Sequence, residues 1–194
     1  VHRLSIRERL VVIRDVCNGI ECAHHNGVIH RDLKPANILI TETIRGPVPK
    51  IIDFGIAKDK ERVDDQSRTK DSRWLGTLNY MSPEQVRGLP LRPTTDIFSL
   101  GVVLYEMLSG QRAFDRTTDY ATMDAVRAVD VTPLSEVCPG LSPALIAICE
   151  KAMAQGEEVR YAQAEQVGRD LGRYLSTLDT NYGRTDVAEA LQAM

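Results

Sequence analysis

Eight consecutive residues, 30–37, carry the side chains with the clearest chemistry; they read His-Arg-Asp-Leu-Lys-Pro-Ala-Asn. Asp32 can orient an incoming hydroxyl, Lys34 can face anionic phosphate oxygens, and the side-chain oxygen of Asn37 can bind a metal ion. A second carboxylate, Asp53, follows sixteen residues after Asn37 and opens an Asp-Phe-Gly triplet. One such motif alone would be weak evidence, whereas both in this order and spacing indicate phosphoryl transfer.

A helix is predicted to deliver the chain to these residues. Across residues 5–25, apolar side chains recur at three- and four-residue steps, and charged side chains lie mostly on the other side. Ser5 and Glu8 have the spacing of a capping box at its start. Gly27 can adopt the left-handed conformation that ends helices. The helix would therefore stop just before the motif.

Two short strands are predicted between the two acidic motifs. Residues 38–40 and 50–52 are apolar runs, joined by a polar loop that contains Gly46, Pro47 and Pro49. If the strands pair antiparallel, Asn37 and Asp53 lie at the same end of the pair. Two oxygen ligands of one metal ion must converge in this way.

The rest of the chain reads as loops and helices. Residues 56–76 are polar and charged, which predicts a surface loop. Further helices are predicted as a short one at Pro83, a buried one over 95–109 that is apolar nearly all round, an exposed one over 119–129, one beginning at Ser142-Pro143, and a last one over about 162–175. The predicted fold class is mainly α with a small β-ribbon.

Size and composition indicate one soluble globular domain. The 194 residues are 43% hydrophobic and 26% charged, and the net charge of −3 favours neither nucleic acid nor an anionic membrane as partner. No apolar run is long enough to span a bilayer, so a cytoplasmic location is predicted for this region, with any membrane tether of the parent protein outside it. The four cysteines lack zinc-ligand spacing and predict buried thiols; a redox or metal role is the alternative.

Taken together, the motifs resemble the C-terminal lobe of eukaryotic-like protein kinases. The shared features, in family order, are HRDLKPAN, DFG, GTLNYMSPEQ and the DIFSLG run that begins at Asp96. The resemblance covers about residues 4–175 and is closest to the bacterial serine/threonine branch. It implies a kinase catalytic domain, C-lobe only, over 1–175 and a tail of unknown role over 176–194. It also implies that an N-terminal lobe precedes Val1.

The resemblance also assigns roles by position, for a serine/threonine protein kinase that transfers the γ-phosphate of ATP to protein hydroxyls with Mg²⁺. The implied catalytic residues are Asp32, Lys34 and Thr77; the implied ATP-binding residues are Lys34, Asn37, Leu39 and Asp53; and the implied metal ligands are Asn37 and Asp53. Thr77 would hydrogen-bond Asp32 and Lys34, and Leu39 would pack beneath the adenine. The implied structural residues are His30 stacked on Phe54, Asp96 anchoring the loop backbone, and Arg160 paired with Glu84.

Regulation by phosphorylation is implied as well, because Arg31 precedes Asp32. A phosphate added between Asp53 and Glu84 would bring negative charge to an arginine. The candidates for autophosphorylation are Thr69, Ser67 and Ser72; the alternative is that these are only solvated loop residues.

Several kinase features do not occur in these 194 residues. There is no GxGxxG loop, no V-A-I-K lysine and no helix for its glutamate partner. The polypeptide by itself is therefore predicted to bind Mg-ATP weakly and to have little activity. Two alternatives stay open: a non-catalytic half-kinase that binds partners, and a small-molecule phosphotransferase of the same ancestry. The long segment ending in SPE argues against the second.

Overall fold

The computed structural model describes residues 4–44, 46–54 and 77–192, with side chains up to residue 178. In chain order the elements are α1 (Ile6–His25), a 3-10 turn (Pro35–Asn37), β1 (Ile38–Thr43), β2 (Gly46–Ile51), a second 3-10 turn (Leu78–Tyr80), α2 (Pro83–Val86), α3 (Thr94–Ser109), α4 (Asp119–Ala128), α5 (Leu134–Val137), α6 (Pro143–Ala152) and α7 (Ala164–Gln192). The predicted class, mainly helical with one small β-ribbon, is confirmed. The predicted surface loop and the candidates Thr69, Ser67 and Ser72 lie outside the described residues.

Helix α1 begins and ends as its sequence predicts. The Ser5 hydroxyl accepts a hydrogen bond from the Glu8 amide at 3.3 Å, and the Glu8 carboxylate accepts one from the Ser5 amide at 2.7 Å. These are the two reciprocal bonds of a capping box. Gly27 follows the last turn with φ of 72°. The chain therefore leaves α1 directly into the loop of residues 28–34.

Helix α3 is the centre of the hydrophobic core. It is buried along nearly its whole length, including its polar residues Thr95, Asp96 and Ser99, and it packs against α1 and α6. Gly110 ends it in the left-handed conformation, with φ of 69°. The prediction of a buried helix, made from its all-round apolar sequence, is confirmed. A buried Asp96 in its first turn is the feature that links the core to the site.

Close packing of α3 on α6 makes Gly101 sensitive to substitution. A Cβ at Gly101 would lie 2.7 Å from Met153 Cγ and 2.9 Å from Ala152 Cβ. Overpacking of this kind costs about 1–3 kcal/mol, against a helix-propensity gain of about 0.8–1 kcal/mol. We expect Gly101→Ala to lower the free energy of unfolding in denaturant titrations.

Gly172 on α7 is the matched control for that prediction. A Cβ there would meet only Arg14 Cδ, at 4.0 Å. Gly172→Ala should therefore leave the protein as stable or stabilise it, by up to about 1 kcal/mol. Equal effects of the two substitutions would show that the close approach of α3 to α6 is not what restricts Gly101.

The β-ribbon is longer than the sequence predicts. β1 and β2 pair antiparallel from Ile38 opposite Ile51 to Thr43 opposite Gly46. Gly46, Pro47 and Pro49 belong to β2, so the prediction that they form a polar loop is wrong. The Ile52 amide donates to the Asn37 carbonyl at 3.0 Å. Because N–H directions alternate along a strand, the N–H groups of the even-numbered β2 residues point toward β1. The two prolines face the other way, where a missing N–H breaks no ladder bond.

Helix α7 extends beyond its predicted end, and the short helix α5 was not predicted. α7 begins at Ala164 and continues to Gln192, whereas an end near 175 is predicted; no proline interrupts residues 176–192. The four-residue helix α5 lies between α4 and α6, where no helix is predicted. α7 packs along α1, and Glu21 on α1 accepts a hydrogen bond from the Glu165 amide at 3.1 Å, in the first turn of α7. This carboxylate satisfies one of the unpaired N–H groups of that turn.

The four thiols differ in exposure. Cys17 and Cys149 are buried, and burial raises the pKa of Cys17 to about 12. Cys138 is half-buried and Cys22 is exposed, so the prediction of buried thiols holds for two of the four. Among the helices of the described residues, none combines the length and hydropathy that a bilayer crossing requires.

Candidate active site

The loop between α1 and β1 is held by the buried carboxylate of Asp96. Its Oδ2 accepts a hydrogen bond from the His30 amide and its Oδ1 accepts one from the Arg31 amide, both at 2.8 Å. The His24 Nε2 lies 2.7 Å from Oδ2. Arg31 has a φ of 66°, a conformation that side chains other than glycine rarely adopt. The structure thus places Asp96 where the resemblance implies an anchor for the loop.

Four of the predicted site residues converge beyond this anchor. Lys34 Nζ lies 3.2 Å from Asp32 Oδ2 and donates to Thr77 Oγ1 at 2.9 Å. Asn37 Nδ2 donates to the Asp32 carbonyl at 2.7 Å and lies 3.3 Å from Asp32 Oδ2. A carboxylate, a cation, a hydroxyl and an amide therefore meet in one place, although Thr77 is 43 residues from Lys34.

Asn37 and Asp53 lie at the same end of the β-ribbon, as predicted. Asn37 immediately precedes β1, Asp53 follows β2, and the bond between the Ile52 amide and the Asn37 carbonyl ties the two ends together. Asn37 uses its Nδ2 for both bonds to Asp32, which turns its Oδ1 away from that residue. Asp53 is exposed, with φ of 56°. An amide oxygen and an exposed carboxylate are the donors that Mg²⁺ prefers, so these residues fit the ion.

Leu39 presents an apolar surface beside this cluster. It sits on β1 opposite Lys50, and 51% of the residue's surface is exposed. An exposed leucine next to polar groups can cover the face of a flat aromatic ligand. The position is consistent with the implied contact to an adenine ring, which stays a prediction.

His30 joins the loop to the end of β2. Its Nε2 lies 3.0 Å from the Ile52 carbonyl oxygen, and its ring lies 4.7 Å from that of Phe54 between centroids. The two rings are inclined at 46°, so they touch in a tilted arrangement rather than a parallel stack. His30 is fully buried and forms part of the support beneath Asp32.

Glu84 and Arg160 form a buried, two-pronged ion pair behind the site. Arg160 donates to both oxygens of Glu84, at 2.7 and 2.9 Å, and Thr95 donates to one of them at 2.8 Å. Burial by itself would raise the pKa of Glu84, but the hydrogen bonds and charge of Arg160 outweigh it. The pKa therefore lies below the ordinary 4.5. The pair implied by the resemblance is present.

Three contacts near the site were not predicted from the sequence. His24 contacts Asp96, Gln85 donates to the Arg31 carbonyl at 2.8 Å, and the Tyr80 hydroxyl donates to Glu106 at 2.5 Å. Burial and the Glu106 carboxylate raise the pKa of Tyr80. Only the local bonds of Gln85 to Ser82 had a signal in the sequence, because Gln85 stands three residues after Ser82, the spacing of a capping box.

Comparison with known proteins identifies the family. The family described as "Protein kinase domain" matches residues 2–170. The serine/threonine-protein kinase PknB of Mycobacterium tuberculosis is 40% identical over 174 residues, covering 88% of this chain and 26% of that protein. The PknB of Mycobacterium leprae is 37% identical over 167 residues, covering 86% and 26%. A PknB of Bifidobacterium longum is 40% identical over 177 residues, covering 89% and 24%.

These matches cover only part of each relative. The chain spans about a quarter of the length of the curated relatives it matches. The matched region contains all the motifs from His30 to Arg160 and the mainly helical architecture described above. The chain belongs to the protein kinase family and resembles, within it, the C-terminal lobe of bacterial-type serine/threonine kinases.

Proposed function

We propose that this chain supplies the catalytic lobe of a serine/threonine protein kinase, which transfers the γ-phosphate of ATP to hydroxyls of protein substrates. The observation that carries the proposal is the position of Lys34 Nζ, within 3.2 Å of Asp32 Oδ2 and 2.9 Å of Thr77 Oγ1. A carboxylate that orients a hydroxyl and a cation that faces a transferring phosphate must be neighbours in this reaction. The relatives named as serine/threonine kinases support the same assignment.

Each side chain then has a task that its contacts support. Asp32 accepts or orients the proton of the substrate hydroxyl, and Asn37 holds the Asp32 peptide through its Nδ2. Lys34 neutralises charge on the transferring phosphate. Thr77 accepts a hydrogen bond from the Lys34 ammonium group and so fixes its position. Only 22% of the Lys34 side chain is exposed, which strengthens its field at the reacting atoms.

The cofactors follow from the family and from the donor set. Protein kinases use ATP and Mg²⁺, and Asn37 and Asp53 would hold the ion here. When bound, the metal would supply positive charge to offset the negative charge of the phosphates. Leu39 would cover one face of the adenine. Autophosphorylation at Thr69, Ser67 or Ser72 stays a prediction for the segment before Thr77.

The test is phosphorylation of a basic protein by the gene product with all the flanking sequence that its gene encodes. We expect labelled phosphate on serine or threonine, dependent on Mg²⁺ and lost in the Asp32→Asn variant, because an amide cannot take the proton. Mass spectrometry of the product identifies the modified residues. Phosphate found only on small-molecule hydroxyls, or labelling unaffected by Asp32→Asn, would refute the proposal.

A further inference from the structure

We propose that Gln85 is a positioning residue for phosphoryl transfer, because its carboxamide fixes the peptide unit that joins Arg31 to Asp32. Gln85 Nε2 donates to the Arg31 carbonyl at 2.8 Å, across 54 residues of sequence. That carbonyl belongs to the peptide from which the Asp32 side chain projects. The inference rests on the proposed function, since it assigns how the Asp32 carboxylate is aimed.

The Arg31–Asp32 peptide is held at both of its polar atoms. Its oxygen accepts from Gln85, and its nitrogen, that of Asp32, donates to His30 Nδ1 at 3.3 Å. The peptide before it is held separately, because the Arg31 amide donates to Asp96. Rotation of the Arg31–Asp32 peptide would break the first two bonds and redirect the Asp32 side chain. Gln85 supplies the shorter of these two bonds.

The backbone at this point needs such restraint. Arg31 has a φ of 66°, and the left-handed conformation costs a residue with a Cβ about 1–2 kcal/mol. A loop with this stored strain gains by turning the adjacent peptide unless hydrogen bonds oppose the turn. Such a turn would reverse the direction of the Arg31 carbonyl, and the hydrogen bond from Gln85 holds that carbonyl in place.

Gln85 is itself oriented by local bonds. Its side-chain Oε1 accepts a hydrogen bond from the Ser82 backbone amide at 2.9 Å, and its backbone amide donates to the Ser82 hydroxyl at 3.2 Å. Because Oε1 faces an N–H group, Nε2 faces the Arg31 oxygen, and the side-chain carboxamide has one consistent orientation. Its neighbour Glu84 is pinned by Arg160. The start of α2 is therefore a rigid base for the contact.

The deciding variant is Gln85→Glu, measured in the full-length gene product. The new carboxylate still accepts from the Ser82 amide but cannot donate to the Arg31 carbonyl. We expect kcat at pH 8 to fall about tenfold, as one partly buried hydrogen bond is lost, with the KM for ATP changed less than about twofold. Gln163→Glu is the matched control: it makes the same chemical change on an exposed side chain outside the site, so kcat should stay near wild type.

A pH profile separates positioning from general damage. Protonation restores a donor to the new side chain, so the ratio of kcat in Gln85→Glu to kcat in wild type should rise as the pH falls from about 8 to about 5.5. The charged and titratable groups around the contact are the same in both proteins, so the ratio isolates the substituted side chain; they are Asp32, His30 and Asp96 on the catalytic-loop side and Glu84 on α2.

A second variant covers the case in which Gln85→Glu lowers the melting temperature. Gln85→Met keeps the side-chain length without donor or acceptor, and it should lower kcat by the same factor at every pH. Kinetics of both Gln85 variants equal to those of Gln163→Glu, with a flat ratio, would overturn the inference. An inactive wild type would instead refute the proposed function, so the two failures are distinguishable in one assay.

Discussion

Replacing Arg160 with alanine is expected to lower the free energy of unfolding by about 3–5 kcal/mol, because it leaves a buried carboxylate without its cation. Arg160 donates to both oxygens of Glu84 and also to the backbone carbonyls of Ala154, Thr94 and Gln155. Its side chain is 0% exposed, and no water can replace these contacts without reorganisation. Chemical denaturation of the wild type and the variant measures the difference.

Double substitution shows whether the loss of stability comes from an unpaired Glu84 carboxylate or from the lost attraction between Arg160 and Glu84. Arg160→Met combined with Glu84→Leu removes both charges, so it should cost less than Arg160→Ala alone if the penalty comes from the unpaired carboxylate. A double variant as unstable as the sum of its two single variants would contradict this account.

The pH dependence has a definite sign. The pKa of Glu84 is depressed in the folded state, so its contribution to stability is present above the ordinary 4.5 and is lost as the pH falls through the lower folded-state value. In Arg160→Ala that depression disappears and protonation relieves the stranded charge. The stability gap between the two proteins should therefore narrow as the pH falls from about 7 to about 4.

The second large effect is expected for Asp96→Asn, which should lower both stability and kcat. The buried carboxylate contacts the His30 amide, the Arg31 amide and His24 Nε2, and an asparagine offers only one oxygen for these partners. Its NH₂ group would face an N–H instead. Each buried donor left unsatisfied costs about 1–3 kcal/mol, so we expect a total loss of about 2–4 kcal/mol.

Asp130→Asn provides the control for the same chemical change at the surface. Asp130 pairs with Arg116 at 3.2 Å, but its side chain is 73% exposed. An exposed pair contributes about 0–1 kcal/mol, so this variant should unfold almost as the wild type does. If Asp96→Asn kept wild-type kcat, Asp96 would support the fold without positioning the residues around Asp32.

Much of the local structure could be predicted because it depends on residues within about four positions of one another. The capping box of Ser5 and Glu8, the stop at Gly27 and the left-handed Gly110 were predictable in this way. The same holds for the buried α3, whose apolar side chains leave no polar face. The prediction failed in β2, where Pro47 and Pro49 indicated a loop. A strand tolerates proline when its nitrogen faces away from the partner strand, and that direction depends on the pairing with β1.

The same distinction between local and long-range contacts applies to the site. The chemical groups of the site could be recognised in the sequence, because their order and spacing are typical of phosphoryl transfer, and the shared position of Asn37 and Asp53 at one end of the ribbon was predicted. Which groups contact one another depends on the fold: Lys34 meets Thr77, Asp96 meets the amides of the loop, and Gln85 meets the Arg31 carbonyl. These contacts join residues 43 to 66 positions apart. Their geometry is set by how the helices pack on α3, and no local pattern encodes it.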